Sequence, residues 1–163
     1  MDHTINYQGG CNCGQSRYQV EGQPMITHCC HCRWCQRETG SAFVINGLIE
    51  RSRIELISGE LETIHLPSFS GMGQKILRCS HCRVNLWSHF DFAGIGEQVA
   101  FLRISTLDDN SAMPPDVHIY TESKVPWVNI EGTAKILPGY YRARDLWSKE
   151  SLARKKVLQQ LVK

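Results

Sequence analysis

Cys29-Cys30-His31-Cys32-Arg33-Trp34-Cys35 places four of the chain's eight cysteines within seven positions. Neighbouring residues of an extended segment point to opposite sides. Cys30 and Cys32 therefore face one way, and a short turn brings Cys35 to them. Three sulfurs with a fourth coordination position left open form the ligand pattern of a catalytic zinc ion. The same alternation turns Cys29 and His31 away from that point. Cys29 then reads as a small buried hydrophobe, and His31 as a residue that packs or supports the ligands. His28 shares the parity of Cys30 and Cys32, which leaves both a ligand and a core role open for it.

The other four cysteines lie in two tight groups on either side. Cys11-Asn12-Cys13 can chelate from a strand or its end, because residues two apart share a face. Cys79-Ser80-His81-Cys82 is a CxxC knuckle, a spacing at which two sulfurs reach one tetrahedral ion at about 2.3 Å. Two sulfurs from each group close a four-cysteine site, whose role is structural because no position stays open. Such a site ties the N-terminal segment to a hairpin far along the chain, and its metal affinity becomes folding free energy. Arg33 and Arg37 flank the middle cluster, and Arg78 and Arg83 flank the knuckle, where they offset thiolate charge. His81 fills the turn of the knuckle. His3, His65, His89 and His118 read as surface or core histidines.

An even cysteine count also allows disulfides, but that reading suits small secreted chains. This chain has 163 residues, of which 42% are hydrophobic. It can bury one core without covalent staples. Met1-Asp2-His3-Thr4 carries no basic flank and no apolar stretch follows it, so the expected setting is the cytoplasm. No apolar run approaches the roughly 18–20 residues of a membrane span. The formal net charge of +2 gives no strong global attraction to nucleic acid.

Short alternating or β-branched runs recur about every ten residues, which predicts a mostly β domain. The runs are 16–21, 25–29, 42–45, 53–57, 62–66, 75–77, 84–90, 99–105, 117–120 and 127–130. Gly, Pro, Asn and Ser separate them, and 68–73 and 108–115 read as irregular connections. From Ser148 to Val162 the pattern becomes helical, with Ser148 as the N-cap and Val157, Leu158, Leu161 and Val162 at helical spacing. Residues 140–163 carry seven Lys/Arg against two Asp/Glu. This reads as a solvated helix with an apolar stripe docked on the domain, because no base-reading motif accompanies it.

Gly9-Gly10-Cys11-Asn12-Cys13-Gly14-Gln15-Ser16-Arg17-Tyr18 resembles the opening motif of the glutathione-dependent formaldehyde-activating enzyme (GFA) family, also called the centromere protein V family. The segment 30–43, Cys30-His31-Cys32-Arg33-Trp34-Cys35-Gln36-Arg37-Glu38-Thr39-Gly40-Ser41-Ala42-Phe43, is similar to its second motif. Cys79-Ser80-His81-Cys82-Arg83-Val84-Asn85-Leu86 stands where its CxxCG knuckle belongs. Ser105-Thr106-Leu107-Asp108-Asp109 and Lys124-Val125-Pro126-Trp127 resemble its downstream motifs. The resemblance implies a β-tent zinc-binding fold of antiparallel sheets, with a C-terminal α-helix added here. It implies a GFA-type zinc-binding domain over 1–140 and leaves 141–163 as a basic helical extension. It also implies two zinc ions per chain. Cys11, Cys13, Cys79 and Cys82 hold the structural ion, and Cys30, Cys32 and Cys35 the catalytic one. The family usually has Gly after the second knuckle cysteine, a residue suited to φ > 0. This chain has Arg83 there. Arg78 stands where the family often has an aromatic residue.

The activity that the resemblance implies is that of a zinc-dependent carbon–sulfur lyase, forming or cleaving a thiol adduct such as S-hydroxymethylglutathione from glutathione and formaldehyde. Position beside the second motif makes Arg33 and Arg37 candidate anchors for substrate carboxylates. Thr39 and Ser41 become candidate donors to the adduct oxygen. A small-molecule thiol is the expected partner; neither a membrane nor nucleic acid is. Two other readings share these residues: a non-catalytic zinc-based thiol or glutathione carrier, and a zinc-stabilised interaction module that uses its basic helix.

Overall fold

Strands β1 (Asn6–Gly10) and β2 (Arg17–Glu21) form an antiparallel hairpin whose turn carries Cys11 and Cys13. Strand β5 (Ile54–Ser58) pairs with β2 and completes a three-stranded sheet. The computed structural model describes residues 5–68, 71–90 and 93–162. Within them, eight further strands make the second sheet: β3 (Ile26–Cys30), β4 (Val44–Glu50), β6 (Leu61–Leu66), β7 (Gln74–Cys79), β8 (Asn85–Phe90), β9 (Val99–Arg103), β10 (Val117–Ile119) and β11 (Lys135–Ile136). Their order is β11-β10-β3-β4-β9-β8-β7-β6. From β3 to β6 every pairing is antiparallel, whereas β10 joins β3, and β11 joins β10, in parallel. The fold is mostly β with a C-terminal helix, as the sequence predicts, and its large sheet is mixed.

Alternation along β2 sets the first core. Tyr18 and Val20 point inward and are fully buried, while Gln19 between them is half-buried. They meet Ile49, Ile54, Leu86, Trp87 and Leu102, so both sheets contribute. Tyr18 and Trp87 pack edge to face with ring centroids 6.0 Å apart. The Tyr18 hydroxyl lies 2.7 Å from Thr106 Oγ1, which satisfies its polar end. A second core lies under β3, β4 and β9, where Met25, Leu48, Ile95, Val99 and Val117 meet Trp147 and Leu158 from the C-terminal segment. Burying one such aliphatic side chain stabilises the fold by roughly 1.5–3 kcal/mol.

Strand β4 outlasts its expected span of 42–45. It lies between β3 and β9 and is buried almost throughout, so no alternation marks its second half. Gly47 belongs there for a steric reason, since a Cβ would sit 2.8 Å from both Ile104 Cδ1 and Pro24 Cγ. Strand β1 is not among the expected runs, because Asn6-Tyr7-Gln8-Gly9-Gly10 has no β-branched residue and ends in two glycines. The expected strand at 127–130 is instead a turn: Val128 N–H donates to Val125 O, and Lys124 Nζ donates to Val125 O and Val128 O. The expected irregular stretch 68–73 lies partly outside the described residues.

Two helices close the chain, Ala143–Leu146 and Lys149–Leu161. Ser148 caps the longer one, accepting from Ser151 N–H at 3.0 Å. Ser151 Oγ donates to Met25 O at 2.7 Å, and Arg154 grips both carboxylate oxygens of Glu50 at 2.7 and 2.6 Å. Leu158 is buried, whereas Val157, Leu161 and Val162 are exposed. The docked stripe is narrower than its spacing implied, because polar anchors take up much of the helix's inner face.

Candidate metal centres and active site

The β1–β2 turn and the β7–β8 turn bring Cys11, Cys13, Cys79 and Cys82 together, with all four sulfurs within 4.8 Å of one another. Tetrahedral ligands at about 2.3 Å lie about 3.8 Å apart. Cys13 Sγ stands 3.8 Å from Cys79 Sγ and 3.4 Å from Cys11 Sγ, so the quartet fits a tetrahedral ion. Backbone bonds shape both turns. Cys11 N–H donates to Ser16 O, Cys79 N–H to Val84 O, and Arg83 N–H to Cys79 O. Ser16 N–H also donates to Cys11 Sγ at 3.3 Å. One hairpin belongs to the small sheet and the other to the large one, so the quartet braces the two sheets against each other.

Arg83 has φ 66°, the left-handed conformation that the family's glycine supplies without strain. Its side chain and that of Arg78 both donate to the Glu62 carboxylate. Those two ion pairs hold Glu62 below the ordinary carboxylate range, the Arg83 hydrogen bond contributing most.

The second cluster is built from the end of β3 and the start of helix α1 (Arg33–Thr39). Cys30, Cys32 and Cys35 hold their sulfurs within 4.8 Å of one another. The turn expected between Cys32 and Cys35 is the first turn of this helix. Cys32 is its N-cap, and its sulfur accepts from Cys35 N–H at 3.4 Å. Gly40 ends the helix in the left-handed conformation. Buried Gln36 fastens α1 to the chain beyond β10, donating to His31 O at 2.7 Å and to Ser123 O at 2.9 Å. Glu38 pairs with Arg103 of β9, and these side chains are 5% and 6% exposed. Arg103 also donates to Asn46 Oδ1 at 2.5 Å. Hydrogen bonds from the Cys30 and Cys35 thiols, then from the Cys35 and Trp34 amides, hold the Cys32 thiol well below its ordinary value. Its two neighbours are pushed up in return, each by its hydrogen bond to another member of the trio. Three sulfurs held this close are suited to a thiophilic cation.

The residues flanking the trio are disposed unequally. Arg33 and Arg37 are exposed on α1, and Arg33 donates to Gln36 Oε1 at 2.5 Å. Thr39 Oγ1 donates to Cys35 O at 2.7 Å and accepts from Ser41 N–H at 3.2 Å, so its hydroxyl proton is spent inside the helix end. The Ser41 side chain is exposed. His28 is not brought to the trio: its Nε2 lies 2.5 Å from the Tyr141 hydroxyl, and burial lowers it to about 4. Sequence reasoning missed the aromatic wall on this side. Tyr120 packs near the trio with φ 54°, its ring centroid 6.0 Å from Tyr140, which stacks on Tyr141 at 5.0 Å.

Cys29 and His31 do turn away from the trio, as alternation predicts. They meet His118 of β10, with Cys29 Sγ 3.6 Å from His31 Nε2 and that nitrogen 3.0 Å from His118 Nδ1. Nothing local in the sequence pairs His118 with them. The parallel register of β10 on β3 does so, by setting His118 beside Cys29.

A mostly β chain carrying a closed cysteine quartet and an open cysteine trio, each suited to a metal ion, defines the class of this protein. The family model described as "Glutathione-dependent formaldehyde-activating enzyme" matches residues 6–123, and the chain belongs to that family. A curated protein of Halomonas elongata, named "Putative glutathione-dependent formaldehyde-activating enzyme", is 27% identical over 129 residues, covering 76% of this chain and 80% of that protein. A crystal structure of a Rhodobacter sphaeroides protein aligns with TM-score 0.45 and 16% identity over 63% of this chain and 88% of that one. Among the described residues no helix is long and apolar enough to cross a membrane.

Proposed function

We propose that this chain forms or cleaves a thiol adduct of a small carbonyl compound at Cys30, Cys32 and Cys35, as a carbon–sulfur lyase of the S-hydroxymethylglutathione type. The observation that carries this reading is the convergence of three sulfurs, and only three, at the end of β3 in a chain of this family. Both clusters fit zinc, giving two ions per chain: Cys11, Cys13, Cys79 and Cys82 hold a structural one, and the trio a catalytic one. Cys30, Cys32 and Cys35 would hold a zinc ion beside the start of α1, and it would supply Lewis-acid chemistry there. The Glu38–Arg103 pair and Gln36 hold α1 still. Arg33 and Arg37 offer guanidinium forks to the carboxylates of a glutathione-like thiol. Ser41, whose hydroxyl is free of the helix-end network described above, is the better donor to the adduct oxygen; Thr39 sets the position of Ser41 through its amide. In the forward direction the S–H bond breaks, an S–C bond forms, the C=O double bond becomes a single bond, and the proton finishes on oxygen.

Seven cysteines gathered into a quartet and a trio of metal-ligand type suit a reducing compartment, and we assign the cytoplasm. Residues 1–140 then form the zinc-binding domain and 141–163 an extension docked on its core. The test is exchange NMR of a glutathione–formaldehyde mixture. Wild type is expected to raise the exchange rate of S-hydroxymethylglutathione above that of the protein-free mixture. Cys32→Ser, which keeps a good N-cap residue, is expected to remove the gain while circular dichroism stays unchanged. Equal rates with wild type and without protein refute the proposal.

A further inference from the structure

Cys29, His31 and His118 lie outside both cysteine clusters and have no part in the chemistry above. Their three donor atoms, Cys29 Sγ, His31 Nε2 and His118 Nδ1, all fall within 4.8 Å of one another. Cys29 and His31 are buried at 2% and 0% exposure, and His118 is half-buried at the open side. We propose that these three side chains form a further metal site, a Cys-His-His set for a thiophilic first-row ion, back to back with the trio across the end of β3.

Geometry supports this reading. Tetrahedral bonds of about 2.3 Å to sulfur and about 2.05 Å to nitrogen put S and N about 3.5 Å apart, and two nitrogens about 3.3 Å apart. The observed S···N separation is 3.6 Å and the N···N separation 3.0 Å, so the imidazoles need to part by only a few tenths of an ångström. The two rings lie nearly parallel, 28° apart with centroids at 5.3 Å. Without an ion, the Cys29 S–H and one imidazole N–H serve the two contacts at His31 Nε2. An ion that displaces those protons takes a lone pair from each of the three atoms. One thiolate with two neutral imidazoles is a donor set for Zn²⁺ or a soft copper ion, not for Mg²⁺ or Ca²⁺. The site is also rigid, since the β3–β10 register fixes Cys29 opposite His118, and His31 N–H donates to Ile119 O at 3.0 Å.

The sequence motif explains why two sites can share so short a segment. Residues 29 to 32 alternate sulfur, sulfur, imidazole, sulfur. Cys30 and Cys32 go to one side, and Cys29 and His31 to the other. The two sets therefore do not compete for the same ligands.

The experiment is a count of bound zinc per full-length chain, by elemental analysis after zinc loading under reducing conditions and desalting. Wild type is expected to retain one ion more than His118→Ala and Cys29→Ala, with His118→Cys restoring it. Cobalt titration supplies a second readout: loss of His118 is expected to remove absorption from a one-sulfur site and to leave the many-sulfur bands unchanged. An equal count in wild type and in both alanine variants overturns the proposal. Should an alanine variant fail to fold, the wild-type count decides alone, because seven sulfurs in a quartet and a trio hold two ions. A wild-type total of two or fewer, with the many-sulfur cobalt bands of both cysteine clusters present, then overturns this site; a total of three supports it.

Discussion

Arg103→Met is expected to be the most damaging substitution away from the cysteines. Arg103 reaches from β9 to Glu38 on α1 and to Asn46 on β4, and both members of the ion pair are nearly sealed from water. Removing the guanidinium leaves the Glu38 carboxyl buried without its charge partner and Asn46 Oδ1 without this donor. Breaking one side of a buried pair costs about 3–5 kcal/mol. A domain of this kind has about 5–15 kcal/mol in all. At about 2–4 °C per kcal/mol, the melting temperature falls by about 6–20 °C. Replacing both partners by apolar residues, Arg103→Met with Glu38→Leu, removes the stranded charge and is expected to recover most of the loss. Thermal unfolding followed by near-ultraviolet circular dichroism, in zinc-replete buffer, measures all four corners of that cycle. A single-variant cost below about 1 kcal/mol, or a double variant that loses the sum of the singles, refutes the reasoning.

Three other outcomes follow from the geometry. Arg83→Val is expected to be the more costly change, because it adds β-branching to the left-handed strain that Arg83 already carries, whereas Arg83→Gly loses no more than the exposed Glu62 ion pair, about 0–1 kcal/mol; urea titrations separate the two. Leu158→Ala is expected to cost about 2–4 kcal/mol by opening a cavity under the C-terminal helix, and Val157→Ala on its exposed face about 0.5 kcal/mol or less in the same assay. Burial raises the Glu50 carboxyl, but the hydrogen bonds and charge of Arg154, with Arg53, outweigh it and leave Glu50 below its ordinary value. That stabilisation is therefore complete above the unfolded pKa and is lost as pH falls through the depressed folded one. Glu50→Gln is expected to cost about 1–3 kcal/mol at pH 7, and the gap to wild type, read by denaturant titration, is expected to close as the pH drops well below 4.5.

Local patterns carried much of this molecule. Two-residue alternation separates Cys30 and Cys32 from Cys29 and His31 in the sequence, and the folded chain keeps that separation. The CxxC knuckle and the Cys11-Asn12-Cys13 pair meet because short turns hold their sulfurs at fixed positions, which spacing reports faithfully. The glycine expected after Cys82 marks a position that proves to need φ > 0, and Arg83 adopts it. Long-range pairings left no such trace. His118 reaches Cys29 only through the parallel register of β10, and Arg103 reaches Glu38 only because β9 lies beside β4. Buried β4 lacks the alternation that would mark its length, and Trp127-Val128 resembles a strand although Pro126 and the Lys124 ammonium bend it into a turn. Tyr120 and Tyr140 gave no signal as neighbours of the trio, because apolar aromatics are expected in any core.

Cysteine-resolved alkylation of the native protein, with and without a strong zinc chelator, tests the central claim most directly. The expected result is that Cys11, Cys13, Cys79, Cys82, Cys30, Cys32 and Cys35 resist the reagent in zinc-replete protein and become reactive as free thiols once the metal is withdrawn. Mass spectra showing those residues in S–S linkages, or Cys30, Cys32 and Cys35 reacting at the same rate with and without chelator, contradict the account.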